Sequence, residues 1–206
     1  MSRGAGPLLD AEQVRALLTE LGARMSAQGI EARLFLVGGA AMALAFSRRR
    51  ITRDLDAVFE PKSEIYAHAA AIARERGLAE DWLNDSVKGL LPDNTAPVEG
   101  TASFSAPGIH VGVASAEYLF AMKAAAARLE TDGADLRLLA RELGITTTAQ
   151  ALDLVERFYR PERLTAKTQL ILETIITAQP AGPATGTSRP RKSVDEPEPP
   201  GHGIGM

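Results

Sequence analysis

Two aspartates separated by one residue, Asp54 and Asp56, are the side chains of this sequence best suited to chemistry. They alternate with Leu55 and Ala57, and in a β-strand residues i and i+2 point to the same face. The pattern therefore predicts that both carboxylates converge on one point. Adjacent carboxylates repel each other, and a hard divalent cation such as Mg2+ compensates that repulsion. The pair predicts a metal site.

A pair of glycines precedes the aspartates and ends a short apolar run. The run predicts a buried strand that turns at Gly38 and Gly39 into a helix, because glycine lets the backbone turn tightly and a ligand approach closely. Free N–H groups and the positive end of the helix dipole favour phosphate at that turn. The glycines and the aspartates together predict a metal-dependent nucleotide site.

Four arginines, Arg48, Arg49, Arg50 and Arg53, lie within six residues directly before the acid pair. Arginine forks match phosphate oxygens bidentately, so this segment is suited to an incoming triphosphate or to the backbone of a nucleic-acid acceptor. Solubility is the alternative explanation for the cluster.

The order of these features, from Gly38 through ArgIleThrArgAspLeuAsp to Asp56, resembles the DNA polymerase beta-like nucleotidyltransferases. It is most similar to the toxins of the AbiEii and MenT type, which are paired with an antitoxin. A second block, AlaMetLys followed by ArgxxxAspxxAsp, resembles the same group at Lys123, Asp132 and Asp135. The resemblance implies that Lys123 contacts the nucleoside triphosphate and that Asp135 supports the active site. From the residues alone, a solvated charged helix face is the alternative.

The resemblance further implies a toxin that adds nucleotides to the 3′ end of tRNA and so blocks translation. In the best-known members of the group these nucleotides are pyrimidines. Asp54 and Asp56 would hold Mg2+, while Lys123 and Arg53 would stabilise the departing pyrophosphate. Thr52 would orient a phosphate if the strand has already begun there, or would itself be modified. A cognate antitoxin protein is the implied partner.

A later strand is predicted from Gly108 to Val113, with His110 and Gly112 on one of its faces. Polymerase beta-like enzymes often carry a third carboxylate on such a strand, and here those positions hold no acid. Either the third acid comes from elsewhere or two suffice. Two alternatives therefore stay open: a nucleotidyltransferase acting on a protein or small molecule, and a catalytically inactive binding module.

The expected fold is α/β of the α+β kind, a mixed sheet flanked by helices and followed by a helical part. Residues 1–114 are predicted as the nucleotidyltransferase core, residues 115–179 as a helical part completing the active site, and residues 180–206 as a disordered tail with six prolines and five glycines. Helices are predicted from Asp10 to near Gly29, from Ser63 to Arg76, from Ser115 through Leu129, then to near Gly144, from Thr148 to Tyr159, and from Thr165 to Ile176.

Composition narrows the function classes. The 206 residues are 45% hydrophobic, and 23 basic against 26 acidic residues give a net charge of -3. Any nucleic-acid role therefore depends on a local basic patch. Cysteine is absent, which excludes disulfides, thiolate metal sites and cysteine catalysis. No apolar stretch approaches the roughly 20 residues of a membrane span, so we expect a soluble cytoplasmic protein with no membrane partner.

Overall fold

The structure, a computed structural model, describes residues 6–47, 50–93 and 96–177. Two of the four clustered arginines, Arg48 and Arg49, lie outside the described residues. The predicted tail, residues 180–206, lies outside them as well.

One mixed sheet forms the centre of the fold. Within the described residues its five strands are β1 (Ala32–Leu36), β2 (Leu55–Glu60), β3 (Leu83–Asn84), β4 (Phe104–Ala106) and β5 (Ile109–Val113). Their order is β3-β2-β1-β5-β4. The central strand β1 is antiparallel to β2 and parallel to β5, while β3 is parallel to β2 and β4 is antiparallel to β5.

Helices flank this sheet and make up the C-terminal part. The α-helices of the described chain are α1 (Ala11–Ser26), α2 (Gly38–Ala45), α3 (Lys62–Arg76), α4 (Ala116–Ala126), α5 (Leu129–Glu142), α6 (Thr148–Phe158) and α7 (Ala166–Thr177). Short 3-10 helices span Ser86–Leu90 and Pro161–Arg163. The predicted α+β class is confirmed, with a mixed sheet, flanking helices and a helical C-terminal part. Among the described residues, no helix has both the length and the hydrophobicity that crossing a bilayer requires.

Local side-chain hydrogen bonds fix several helix starts at the predicted places. The Asp10 carboxylate accepts a hydrogen bond from the backbone N–H of Gln13 at 2.9 Å, and the Gln13 side chain accepts one in return from the Asp10 N–H. The Ser115 hydroxyl likewise accepts from the backbone N–H of Tyr118. These bonds satisfy N–H groups that the first helical turn leaves without a partner.

Two differences from the predicted boundaries lie next to the site residues. The helix expected to run through Leu129 ends at Ala126, because Ala127 adopts a left-handed conformation with φ of 50° and Leu129 begins the next helix. An alanine-rich run carries no local stop signal, so only packing decides this break. The Asp strand begins at Leu55, which leaves Asp54 just before it.

Aromatic packing joins the helical part to the sheet. The ring of Tyr118 in α4 lies edge-on to Phe35 of β1, with ring centroids 5.2 Å apart, and to Phe158 of α6 at 5.7 Å. All three side chains are buried. Edge-to-face aromatic pairs add stabilisation beyond the area they bury, so this row holds α4 and α6 against the sheet face.

Candidate functional site

The turn after β1 brings the start of α2 against the acid pair. Gly38 has φ of 60°, a left-handed conformation that favours glycine. A Cβ built on Gly38 would lie 2.9 Å from Oδ2 of Asp56. The backbone N–H of Val37 donates to the Asp56 carbonyl oxygen at 3.0 Å. The predicted strand, turn and helix are therefore present, and the start of the helix approaches the carboxylate as closely as a glycine permits.

The N-terminus of α2 offers N–H groups that no side chain caps. The first N–H groups of a helix have no intrahelical partner, and they carry the positive end of the helix dipole. This is the environment that the glycine pair predicted for a phosphate.

Gly39 packs closely against Thr52, in the segment that leads into the Asp strand. A Cβ on Gly39 would lie 2.7 Å from Oγ1 of Thr52. The buried Thr52 hydroxyl donates to the carbonyl oxygen of Asp54 at 2.9 Å, and the Thr52 backbone pairs with Leu9. Thr52 therefore precedes the strand, and its hydroxyl holds the turn at Asp54. Orienting a phosphate through this hydroxyl would require breaking that bond.

Burial and the neighbouring Asp54 oppose ionisation of the Asp56 carboxyl. Asp56 is half-buried and Asp54 is exposed. Burial raises the pKa of the Asp56 carboxyl, and the negative charge of Asp54 raises it further. Asn84, Ser86 and Arg128 act in the opposite direction and lower it. The net effect is a raised pKa, which means that the folded chain pays to keep Asp56 ionised.

Lys123 forms a buried ion cluster with both aspartates of the second block. Its Nζ lies 2.7 Å from Oδ1 of Asp132 and 2.8 Å from Oδ2 of Asp135. The three side chains are 9%, 11% and 5% exposed. The alternative of a solvated helix face is therefore wrong for these residues, because burying a charge is tolerated only when it is paired.

Two arginines extend the cluster at its ends. Arg50 donates to Oδ1 of Asp135, and Nε of Arg128 lies 3.6 Å from Oδ2 of Asp132. Positive and negative groups thus alternate from Arg50 through Asp135, Lys123 and Asp132 to Arg128. Arg50 belongs to the predicted phosphate-binding segment, yet here it links that segment to α5. Arg53 of the same segment is exposed.

Both motif blocks meet at one small cavity. Its volume is about 60 Å3. The first block contributes Gly38 and Asp56 to the lining, and the second block contributes Lys123, Arg128 and Asp132. The rest of the lining is apolar: Val87, Leu90, Leu119, Met122 and Ala126. A water molecule occupies about 30 Å3 in the liquid, so this space holds an ion or a small group rather than a whole nucleotide. The remainder of a nucleotide would extend outside it.

A short segment covering this cavity is held from two sides. The 3-10 helix Ser86–Leu90 follows Asp85, whose carboxylate accepts hydrogen bonds from Lys62 Nζ at 2.8 Å and from a tyrosine hydroxyl of α3. Beyond it, Arg163 donates to the Gly89 carbonyl oxygen at 2.8 Å. The wall beside Asp56 is therefore fixed by both the core and the C-terminal part.

The predicted strand at 108–113 forms as β5 and carries no acid itself. The acid beside it is Glu99, from the segment before β4. Glu99 is within 3.2 Å of His110 Nε2, and a Cβ on Gly112 would lie 2.5 Å from Glu99 Oε1. Within the described ranges no three His, Asp or Glu side chains form a group that could hold a metal. Among the described residues, Asp54 and Asp56 are the acids that the sequence predicted for Mg2+. Two oxygen donors whose charges repel fit Mg2+, since this ion usually takes one or two carboxylates plus substrate oxygens.

Several site residues escaped sequence reasoning. Arg128 is the arginine of the second block, so the motif itself could have identified it as a site residue. Asn84 and Ser86 lie in a stretch that carried only turn-like composition, and they reach Asp56 because β3 pairs with β2 at Asp56 and Asn84. That pairing has no local signal in the sequence.

Comparison of this chain with protein-family models, with curated proteins and with solved structures finds no match.

We expect Gly38→Ala to destabilise the fold more than a matched glycine substitution. The left-handed conformation alone costs roughly 1–2 kcal/mol for a non-glycine residue, and contact with Asp56 adds to it. Gly29→Ala is the control, since Gly29 has φ of 69° and no atom within 4 Å of a built Cβ. Urea unfolding of both variants measures the difference. Equal costs would contradict the close approach to Asp56.

Lys123→Met should lower the free energy of unfolding by about 3–5 kcal/mol, because it leaves buried carboxylates with too few cations. The control Lys88→Met breaks an exposed pair with Asp85 and should cost less than about 1 kcal/mol. Adding Asp132→Asn to Lys123→Met should restore part of the loss. A loss no larger than that of the control would contradict the ion cluster.

Asp56→Asn should stabilise the protein at neutral pH. The folded-state pKa of Asp56 is raised, so wild type loses stability as pH rises from the ordinary aspartate pKa of about 4 through the raised folded-state value. Below that range both states are protonated, and the substitution should change little. Unfolding free energies of both proteins across pH 3 to 8, without divalent ions, test this.

Asp153→Asn, on the exposed surface of α6, is the control for that pH series. A gap between Asp56→Asn and wild type that stays constant with pH would contradict the raised pKa. Added Mg2+ should then stabilise wild type more than Asp56→Asn, because the ion favours the paired carboxylates.

Proposed function

We propose that this chain is a Mg2+-dependent nucleotidyltransferase that uses a nucleoside triphosphate. One observation carries the proposal: the glycine turn and Asp56 of the first block line the same cavity as Lys123 and Asp132 of the second. These blocks are far apart in sequence, and a shared nucleotide site requires them to meet. Their meeting supports the resemblance that each block has on its own.

In this proposal Asp54 and Asp56 hold Mg2+, which when bound neutralises charge on the phosphates and lowers the pKa of an attacking hydroxyl. The uncapped N–H groups of α2 bind phosphate oxygens beside Gly38. The resemblance assigns the departing pyrophosphate to Lys123 in the cavity lining and to the exposed Arg53, which directly precedes Asp54. The acceptor hydroxyl attacks the α-phosphorus, and pyrophosphate leaves toward these cations.

For the acceptor we propose the 3′ end of tRNA, with pyrimidine nucleotides added and translation blocked. The chain would then act in the cytoplasm as the toxin of a toxin-antitoxin system, with a cognate antitoxin protein as its partner. This part depends on the resemblance to the AbiEii and MenT type. The exposed guanidinium groups of Arg53 and Arg128 beside the acid pair support it, because RNA backbones are bound by local positive charge.

A catalytically inactive nucleotide-binding module is the second candidate. The observation that favours it is the donor set, since the described residues supply two carboxylates and no third acid to a metal. The costly ionisation of Asp56 counts against it, because a module without a cation gains nothing from keeping two repelling carboxylates. A protein or small-molecule acceptor would keep the same site and change only the attacking hydroxyl.

Incubation of each α-labelled nucleoside triphosphate with purified tRNA and Mg2+ tests the proposal. Wild type should label tRNA, and Asp56→Ala should reduce labelling by about 100-fold or more, because metal coordination supplies several kcal/mol to the transition state. The control Asp153→Ala should label tRNA like wild type. The nucleotide that is incorporated identifies the base preference.

The acceptor is tested in the same experiment. Label that enters total cell protein or small molecules and never tRNA would overturn the tRNA acceptor and keep the transferase. Nucleotide binding without transfer to any fraction would favour the inactive module.

A further inference from the structure

Lys123 is poorly available to a ligand. Its side chain is 9% exposed, and its ammonium group lies within 2.8 Å of a carboxylate oxygen on both Asp132 and Asp135. An ammonium group has three N–H donors. One donates to Oδ1 of Asp132 at 2.7 Å, and Oδ2 of Asp135 lies within ion-pair distance at 2.8 Å. To bind a triphosphate with its full charge, Lys123 would have to leave two buried carboxylates, which is costly. Asp135 would keep Arg50 as its remaining partner, and Asp132 would keep only a loose contact to Arg128. The cation that meets phosphate in this site is therefore another residue.

Arg128 has the properties that Lys123 lacks. Its side chain is 61% exposed, and it lines the cavity together with Gly38 and Asp56. Its only ion pair among the described residues is a loose one, with Nε 3.6 Å from Oδ2 of Asp132. The outer guanidinium nitrogens are left to a ligand. A guanidinium fork binds two phosphate oxygens at once, which an ammonium group cannot do.

The backbone gives Arg128 a fixed place between α4 and α5. Ala127 closes α4 in a left-handed conformation with φ of 50°, which is strained for an alanine. Arg128 is then the first residue before α5, and its carbonyl oxygen accepts the N–H of Asp132 at 2.8 Å. Strained residues of this kind persist only where surrounding contacts hold them, and they are common at ligand sites. The ion pairs of Lys123 with Asp132 and Asp135 join α4 to α5 on either side of this turn.

We propose that Arg128 is the residue that binds the triphosphate of the nucleotide, and that Lys123 and Asp132 are positioning residues that hold its guanidinium at the cavity. The inference rests on the proposed nucleotide-binding function and changes the role given to Lys123 by the resemblance. In this proposal the Arg128 guanidinium contacts two oxygens of the triphosphate at once. Among the described residues, Arg128 forms no ion pair with Asp54 or Asp56 that would compete with this contact.

Binding of inorganic tripolyphosphate with Mg2+ to the full chain, measured by isothermal titration calorimetry, tests this without regard to base preference. Arg128→Ala should weaken binding by roughly 10- to 100-fold, the range expected for one or two charge-assisted hydrogen bonds. Arg128→Lys should recover only part of it, because charge returns without the fork. Arg141→Ala is the matched control, because Arg141 is an exposed arginine in the last turn of α5, at the opposite end from Arg128. It should bind like wild type.

The outcomes separate the two proposals. If wild type binds tripolyphosphate and Arg128→Ala binds it equally well with an unchanged unfolding midpoint, the role of Arg128 is overturned and the proposed function stands. The same holds if Arg128→Lys restores binding fully, since the fork is then unnecessary. If wild type binds neither tripolyphosphate nor any of the four nucleoside triphosphates with Mg2+, the nucleotide-binding function fails, and the role of Arg128 fails with it.

Discussion

The buried ion cluster around Lys123 is the constraint on which the site depends. Removing charges from water costs several kcal/mol for each ion unless partners surround it closely. Asp132 and Asp135 meet this condition by sharing Lys123, so α4 and α5 must stay at the spacing that the two contacts of 2.7 and 2.8 Å require. Asp135 also needs Arg50, which belongs to the loop before the Asp strand. The cluster thereby fixes the C-terminal helices relative to the acid pair.

A second constraint acts at the other side of the cavity, where the start of α2 meets Asp56. Here favourable and unfavourable electrostatic contributions to the ionisation of Asp56 compete. The uncapped helix start presents positive charge to the carboxylate, while burial and Asp54 oppose its ionisation. The raised pKa indicates that the unfavourable terms are the larger. Positive charge brought by a ligand or a cation would reverse this balance, which is the electrostatic reason for proposing a metal at the pair.

The arginines before the acid pair divide into different roles. Arg50 is an internal link to Asp135, whereas Arg53 stays exposed beside Asp54. The described arginines of this basic run therefore differ in role: Arg50 is a structural cation and Arg53 a surface cation. With a net charge of -3 on the whole chain, any binding of nucleic acid depends on local positive charge, and Arg128 supplies one exposed guanidinium group at the cavity.

The sequence by itself determined the elements whose cause is local. Capping residues such as Asp10 and Ser115 fix helix starts through bonds three residues away, and Gly38 marks a turn that other residues rarely adopt. The strand predicted from Gly108 to Val113 likewise forms, as β5 (Ile109–Val113). The break at Ala127, the pairing of Asn84 with Asp56 and the bond from Arg50 to Asp135 were decided only by tertiary structure. Each depends on groups distant in the chain, and the free energy that selects it comes from burial and charge pairing, which no short stretch of sequence contains.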